Sequence, residues 1–253
     1  MHRLKDRVIL VAGAATGLGA ASARRLAQEG ARVVVGDLDA DGAEETATGI
    51  RAEGGEAVAV GFDISDDTSV RHLVLAATRT YGGLDAVHVN AGDMGAVRKD
   101  TDVVDIDLAI WDRTIAVNLR GHMLVSRHAL PELLARGGGA IVYTSSIASF
   151  TGDAKRPAYA ATKAGINALT RHVASRWGKE GIRANAVAPG LILTPEIEHG
   201  APPEMLRSML NRTRSTRHGR AEDVAGMVAY LLSDEGSWVN GQVLNVDGGT
   251  VLR

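Results

Sequence analysis

A seven-stranded, doubly wound parallel α/β sheet with helices on both faces is the fold this sequence predicts, and three observations predict it. Short β-branched runs alternate with longer segments of helical period along the whole chain. A glycine-rich turn joins the first strand to the first helix. No Pro- or Ser-rich linker and no repeat breaks the alternation, so residues 1–253 read as a single domain.

The strands are expected at Val8–Ala12, Arg32–Asp37, Ala57–Asp63, Asp85–Asn90, Ala140–Ser145, Arg183–Ala188 and Gln242–Val246. Apolar residues three and four apart predict helices over Gly17–Glu29, Asp41–Glu53, Asp66–Tyr81, Leu108–Arg136, Ala158–Glu180 and Ala221–Leu232. Gly137-Gly138-Gly139 is a helix stop before the fifth strand. Leu191 to Gly219 departs from the pattern: Pro195, Pro202 and Pro203 precede Met205, Leu206, Met209 and Leu210 at helical spacing, followed by a basic stretch. Ligands of open α/β sheets sit outside the carboxyl ends of the strands, so this insertion, about 191–219, is the expected substrate cover. Its apolar stripe reads first as core-packed and second as a lid.

Composition narrows the function classes. A formal charge of −2 gives no electrostatic reason to expect nucleic acid or an anionic membrane as partner. Without cysteine, neither a disulfide nor a thiolate can act. The eight histidines lack metal-ligand spacing; His122 and His128, six apart, fall on different faces of a helix, so no metal site is expected. The apolar run Val8–Ala12 is too brief for a signal or a membrane span, which points to the cytoplasm.

The turn Gly13-Ala14-Ala15-Thr16-Gly17-Leu18-Gly19 lets the backbone approach a pyrophosphate, whose charge meets free N–H groups at a helix N-terminus. This is the phosphate-binding arrangement of a Rossmann fold. Asp37, closing the second strand, can accept hydrogen bonds from ribose hydroxyls and would repel a 2′-phosphate. Ala14, Ala15 and Leu38 supply no basic side chain there, so the expected cofactor is NAD(H) rather than NADP(H). The other reading of Asp37 is a turn residue leading to Asp39 and Asp41. Asp63 is placed for the adenine edge, and Asn90-Ala91-Gly92 leaves room for the adenosine ribose.

Tyr159 and Lys163, four apart, share a helical face. A nearby ammonium favours a phenolate, which would make Tyr159 a usable proton donor and acceptor. Thr144-Ser145-Ser146 closes the fifth strand thirteen residues earlier, where a hydroxyl can hold a substrate oxygen beside the phenol.

In order and spacing these motifs, with Asn118 in Asn-Leu-Arg-Gly, Pro189-Gly190 followed by Thr194, and Val246-Asp247-Gly248-Gly249, resemble the single-domain short-chain dehydrogenase/reductases over nearly the whole chain. The resemblance implies hydride transfer between nicotinamide and an alcohol or ketone, usually by a homotetramer. It implies that Ser146 orients the substrate, Tyr159 transfers the proton, Lys163 also binds the nicotinamide ribose, and Asn118 anchors a water of the proton relay. Pro189, Gly190, Ile192 and Thr194 would contact the nicotinamide side, while Thr16, Leu18, Leu38 and Ile64 complete the expected cofactor contacts.

Three positions depart from the family pattern: Ala12 stands for a usual Thr, Val89 for a second Asn and Ser149 for a Gly. The first two imply that an apolar contact replaces a polar tie, at about 1 kcal/mol of local order; the third would touch the substrate rim. Two rival functions stand beside the oxidoreductase reading. A 3-oxoacyl thioester reductase could meet an acidic carrier through Arg207, Arg212, Arg214 and Arg217, but that chemistry normally draws on NADPH, against Asp37. A nucleotide-sensing protein without catalysis would need no Ser146, Tyr159, Lys163 and Asn118.

Overall fold

The computed structural model describes residues 2–193 and 202–252. In chain order the elements are β1 (Val8–Ala12), α1 (Gly17–Gln28), β2 (Arg32–Asp37), α2 (Ala40–Ala52), β3 (Glu56–Gly61), α3 (Asp67–Tyr81), β4 (Ala86–Val89) and α4 (Met94–Lys99). They continue with α5 (Leu108–Ile115), α6 (Gly121–Ala135), β5 (Gly139–Thr144), α7 (Pro157–Trp177), β6 (Ile182–Pro189), α8 (Pro203–Asn211), α9 (Ala221–Leu232) and β7 (Val243–Val246). The strands pair in parallel in the order β3-β2-β1-β4-β5-β6-β7. Strand order reverses between β1 and β4, which opens the crevice where such sheets bind ligands.

β1 shows why the strands read as unbroken apolar runs. All five of its residues are buried, with Val8, Leu10 and Ala12 in the core on one face and Ile9 and Val11 in the core on the other. Helices on each face then exclude water from both. Four helices begin on an aspartate whose carboxylate accepts a first-turn N–H: Asp39 from Gly42, Asp66 from Ser69, Asp93 from Ala96 and Asp107 from Ala109. Each such cap is worth about 1 kcal/mol. Asp66, expected inside a helix, is therefore its cap.

Three expectations change. The helix expected over Leu108–Arg136 contains a π-helical turn, Ala116–Arg120, which carries Asn118; such turns concentrate at functional sites. α4 lies in a segment with no predicted element. The apolar stripe of α8 does not pack on the core: Met205 is exposed and Leu206, Met209 and Leu210 are half-buried, so none is fully covered. The insertion is pinched at its base, where Ile192 bridges to Gly219 and the Leu193 N–H donates to the Gly219 carbonyl at 2.9 Å. Thr194 and Pro195 lie outside the described residues. Among the described residues no helix is long and apolar enough to cross a membrane.

Candidate active site

The carboxyl ends of β1, β2, β4, β5 and β6 converge on one edge of the sheet. At the first of them Gly13 has φ +90°, and a Cβ there would lie 2.5 Å from the Ala91 backbone. A Cβ on Gly19 would lie 1.8 Å from the Gly13 carbonyl oxygen, so only glycine lets α1 start this close to the turn. Space outside Gly17 is open, and the N-cap residue Thr16 makes no side-chain bond to the helix end. The first turn of α1 thus fits an anion such as a pyrophosphate.

Asp37 is bound into this turn: its carboxylate accepts the Ala15 N–H at 2.8 Å and the Asp39 N–H at 3.1 Å. It does serve its own turn, as the alternative reading held, and it also stands beside the glycine turn with Leu38 exposed next to it. Asp63 accepts both the N–H and the hydroxyl of Ser65, at 2.8 and 2.6 Å, and these bonds hold its carboxyl below the usual range. Ile64 is buried against Gly121.

Ala12 and Val89 do share an apolar core. A polar tie nevertheless survives by another route. The Asn90 amide donates to the Gly13 carbonyl at 2.8 Å, and its oxygen accepts the Thr144 hydroxyl at 2.9 Å. Because that hydroxyl proton is used, His88 Nε2, 2.9 Å from Thr144 Oγ1, must donate, which makes His88 the neutral Nε2–H tautomer. Burial lowers its pKa to about 3. His122, equally buried, is also held well below the ordinary range by burial, with the charges of Lys163 and His88 adding to it.

On the catalytic side, Ser145 and Ser146 separate cleanly. Ser145 is buried and donates to Asn167 Oδ1 at 2.6 Å, pinning β5 to α7. Ser146 begins the 3₁₀ turn Ile147–Ser149 and is the hydrogen-bonding neighbour of the Tyr159 phenol. Ser149 does not face the substrate rim with its hydroxyl, which donates to the Ser146 carbonyl at 2.6 Å and braces that turn. Asn118 Oδ1 accepts the Asp93 N–H at 2.8 Å, while its Nδ2 is buried without a protein partner. Pro189 ends β6, and Gly190 lies against Asp247, whose carboxylate accepts the Gly249 and Val251 N–H groups at 2.9 Å each.

The net direction for the phenol is upward, opposite to the lowering expected from the lysine. Lys163 Nζ lies 5.5 Å from the Tyr159 ring centroid and donates to the Thr144 carbonyl at 2.7 Å. Burial raises the phenol's pKa, against which the Ser146 bond and the Arg156 charge act. Burial also lowers the Lys163 ammonium to about 8.

Comparison with known proteins decides the family. A family model described as enoyl-(acyl carrier protein) reductase matches residues 13–251. A probable short-chain type dehydrogenase/reductase of Bradyrhizobium diazoefficiens is 43% identical over 253 residues, covering 100% of this chain and 90% of the relative. The chain belongs to the short-chain dehydrogenase/reductase family. As a member of that family it is an oxidoreductase. Another relative in the family, the cis-4-hydroxycyclohexanecarboxylate dehydrogenase of Sinomonas cyclohexanicum, is 42% identical over 244 residues, 96% of each protein. The structure of a 7α-hydroxysteroid dehydrogenase complexed with NADH and 7-oxo glycochenodeoxycholic acid superposes with a TM-score of 0.92 at 33% identity, covering 99% of this chain and 96% of that one.

Sequence reasoning missed several residues that shape this site in a short-chain dehydrogenase/reductase. Asp93, His88 and Asp100 are not among the residues the sequence marks out, and His122 is marked there only as no metal ligand. Asp93 had a signal, a carboxylate three residues before a helical donor; the buried histidines had none, because apolar periodicity counts histidine as polar.

Proposed function

We propose that Tyr159 is the proton-transfer group of an NAD(H)-dependent oxidoreductase that interconverts ring-borne secondary alcohols and their ketones. One observation carries the reading: the Ser146 hydroxyl, the Tyr159 phenol and the buried Lys163 meet at the strand ends next to a glycine turn fitted to an anion. When bound, the nicotinamide supplies or accepts the hydride. The chain's own residues then handle binding and the proton. Ser146 holds the substrate oxygen, and Tyr159 takes its proton in oxidation or returns it in reduction. Lys163 meets the nicotinamide ribose and Asn118 anchors a relay water. Gly13, Thr16, Gly17, Leu18 and Gly19 receive the pyrophosphate; Asp37, Leu38, Asp63, Ile64, Asn90, Ala91 and Gly92 line the adenosine side. Pro189, Gly190 and Ile192 line the nicotinamide side, to which the family pattern also assigns Thr194.

Asp37 sets the cofactor. Its fixed carboxylate would repel a 2′-phosphate, so kcat/KM with NAD+ is expected to exceed that with NADP+ by at least about tenfold, or about 1.4 kcal/mol. Asp37→Ala should narrow the gap. An NADP+ value equal to or above the NAD+ value in the wild type overturns the assignment.

The ring preference draws on two relatives whose names place the reacting oxygen on a carbocycle. An NAD+ reduction screen at alkaline pH is expected to give kcat/KM for cyclohexanols and hydroxysteroids about 100-fold above that for straight-chain alcohols and acyclic polyols. The opposite ranking removes the ring preference and leaves the proton chemistry untouched. The acyl-carrier reading loses one of its basic contacts, since Arg217 is held by both oxygens of Asp223 at 2.7 Å. The same proposal takes the chain to act as one domain, in the cytoplasm, as a homotetramer.

A further inference from the structure

The helix that carries Tyr159 and Lys163 has no local cap. Arg156, its N-cap residue, has φ +69°, and its side chain makes no bond to the helix end. Pro157, the first helical residue, has no N–H to satisfy. The two following donors, on Ala158 and Tyr159, both reach the carboxylate of Asp100, at 3.4 and 2.8 Å. The next, on Ala160, closes on the Arg156 carbonyl at 3.0 Å, which completes the first turn. Asp100 is only 3% exposed and stands 59 residues upstream of Tyr159. A second tie runs alongside: the Arg156 N–H donates to the Thr101 carbonyl at 2.7 Å.

The segment that delivers Asp100 starts at the cofactor side. Asn90 holds the Gly13 carbonyl through its amide. Three residues on, the Asp93 N–H donates to Asn118, and the Asp93 carboxylate caps α4 while pairing with Arg113 at 2.9 Å. α4 then ends on Asp100 as its C-cap. One strap, residues 90–101, therefore touches the glycine turn, Asn118 and the backbone of Tyr159.

We propose that Asp100 is a positioning residue for Tyr159: its buried carboxylate replaces the missing local cap and fixes the phenol-bearing backbone from the strap that also carries the cofactor-side turn. The proposal rests on Tyr159 being the proton-transfer group. Placement matters steeply in such sites, since an error of about 1 Å can cost about a hundredfold in rate.

The test compares D100A, D100S and D100N with the wild type and with Y159F, each assayed well below its own melting temperature. NADH affinity is read separately by fluorescence titration. D100A is expected to lower kcat by about 10- to 100-fold with NADH affinity within about twofold. D100N, whose amide oxygen can still accept the shorter bond from the Tyr159 N–H at the same reach, should recover most of the loss, and D100S, whose hydroxyl is too short to reach it, should fall between. If D100A does not fold, D100S at least about fivefold below D100N carries the proposal. A D100A kcat within twofold of the wild type, equal loss in D100N and D100S, or joint loss of turnover and NADH binding each overturns it. A fully active Y159F removes the underlying reading instead, whatever the Asp100 series gives.

Discussion

Tyr159→Phe is expected to lower kcat for alcohol oxidation by about 10²- to 10⁴-fold, the range a positioned acid/base contributes, while NADH affinity changes by less than about threefold. The substitution removes the hydroxyl beside Ser146 but keeps the ring over which Lys163 stands, so packing and the anion-fitted turn are preserved. pH gives the loss a signature. Oxidation requires the phenol to give up its proton, and burial has raised its pKa, so kcat/KM for oxidation in the wild type should climb on the alkaline side of neutrality. Reduction should fall over the same range. Lys163, lowered to about 8 by burial, adds an opposing limb as it loses its charge above that pH. In the variant the Tyr159 limb disappears. Turnover within tenfold of the wild type would falsify the assignment.

The second large effect concerns stability in mild acid. His88 and His122 are completely buried, and both are held well below the ordinary histidine value by burial. The unfolded chain therefore binds more protons than the folded one as pH falls below about 6.5. Stability contributed by the neutral rings is present in full above that pH and is lost as pH drops towards the folded values. Between pH 7.5 and 5.5 each ring should cost about 1.4 kcal/mol, and the pair about 3 kcal/mol. For a chain of this size that lowers the melting temperature by about 5–10 °C. The carboxylates held below their usual range, such as Asp63, Asp93 and Asp223, titrate in more acid solution, which leaves this window to histidine. Scanning calorimetry of His122→Leu should show about half the wild-type fall over the window. An undiminished fall in that variant would remove His122 as the source.

The sheet was legible because its residues repeat one instruction. β1, β2 and α9 match their expected bounds, and the other strands differ by one or two residues, since a strand buried on both faces cannot hide its composition. α4 escaped because it is a single turn or so containing Gly95 and lacks apolar period, although Asp93 announced its start. The π-turn at Asn118 escaped because a one-residue widening leaves little trace in helical periodicity. Within the site, the pairing of Tyr159 with Lys163 was readable from spacing because both sit on one regular helix, whereas Ser146, just past the end of β5, was told from Ser145 only by the family resemblance. The bond that holds the Lys163 ammonium was not readable; its partner is the Thr144 carbonyl, a backbone acceptor that side-chain sequence does not display. Asp100 lies in an aspartate-rich stretch where nothing distinguishes the one carboxylate that turns inward.

The pinch at Ile192 and Gly219 joins the two ends of the segment beyond β6, whose described part is tied again where the Arg214 N–H donates to the Gly248 carbonyl at 2.7 Å. Doubling the length of a flexible loop between fixed ends adds only about 0.6 kcal/mol of closure entropy. On the ring preference proposed above, a changed length in that segment should alter which rings are turned over while shifting the melting temperature little.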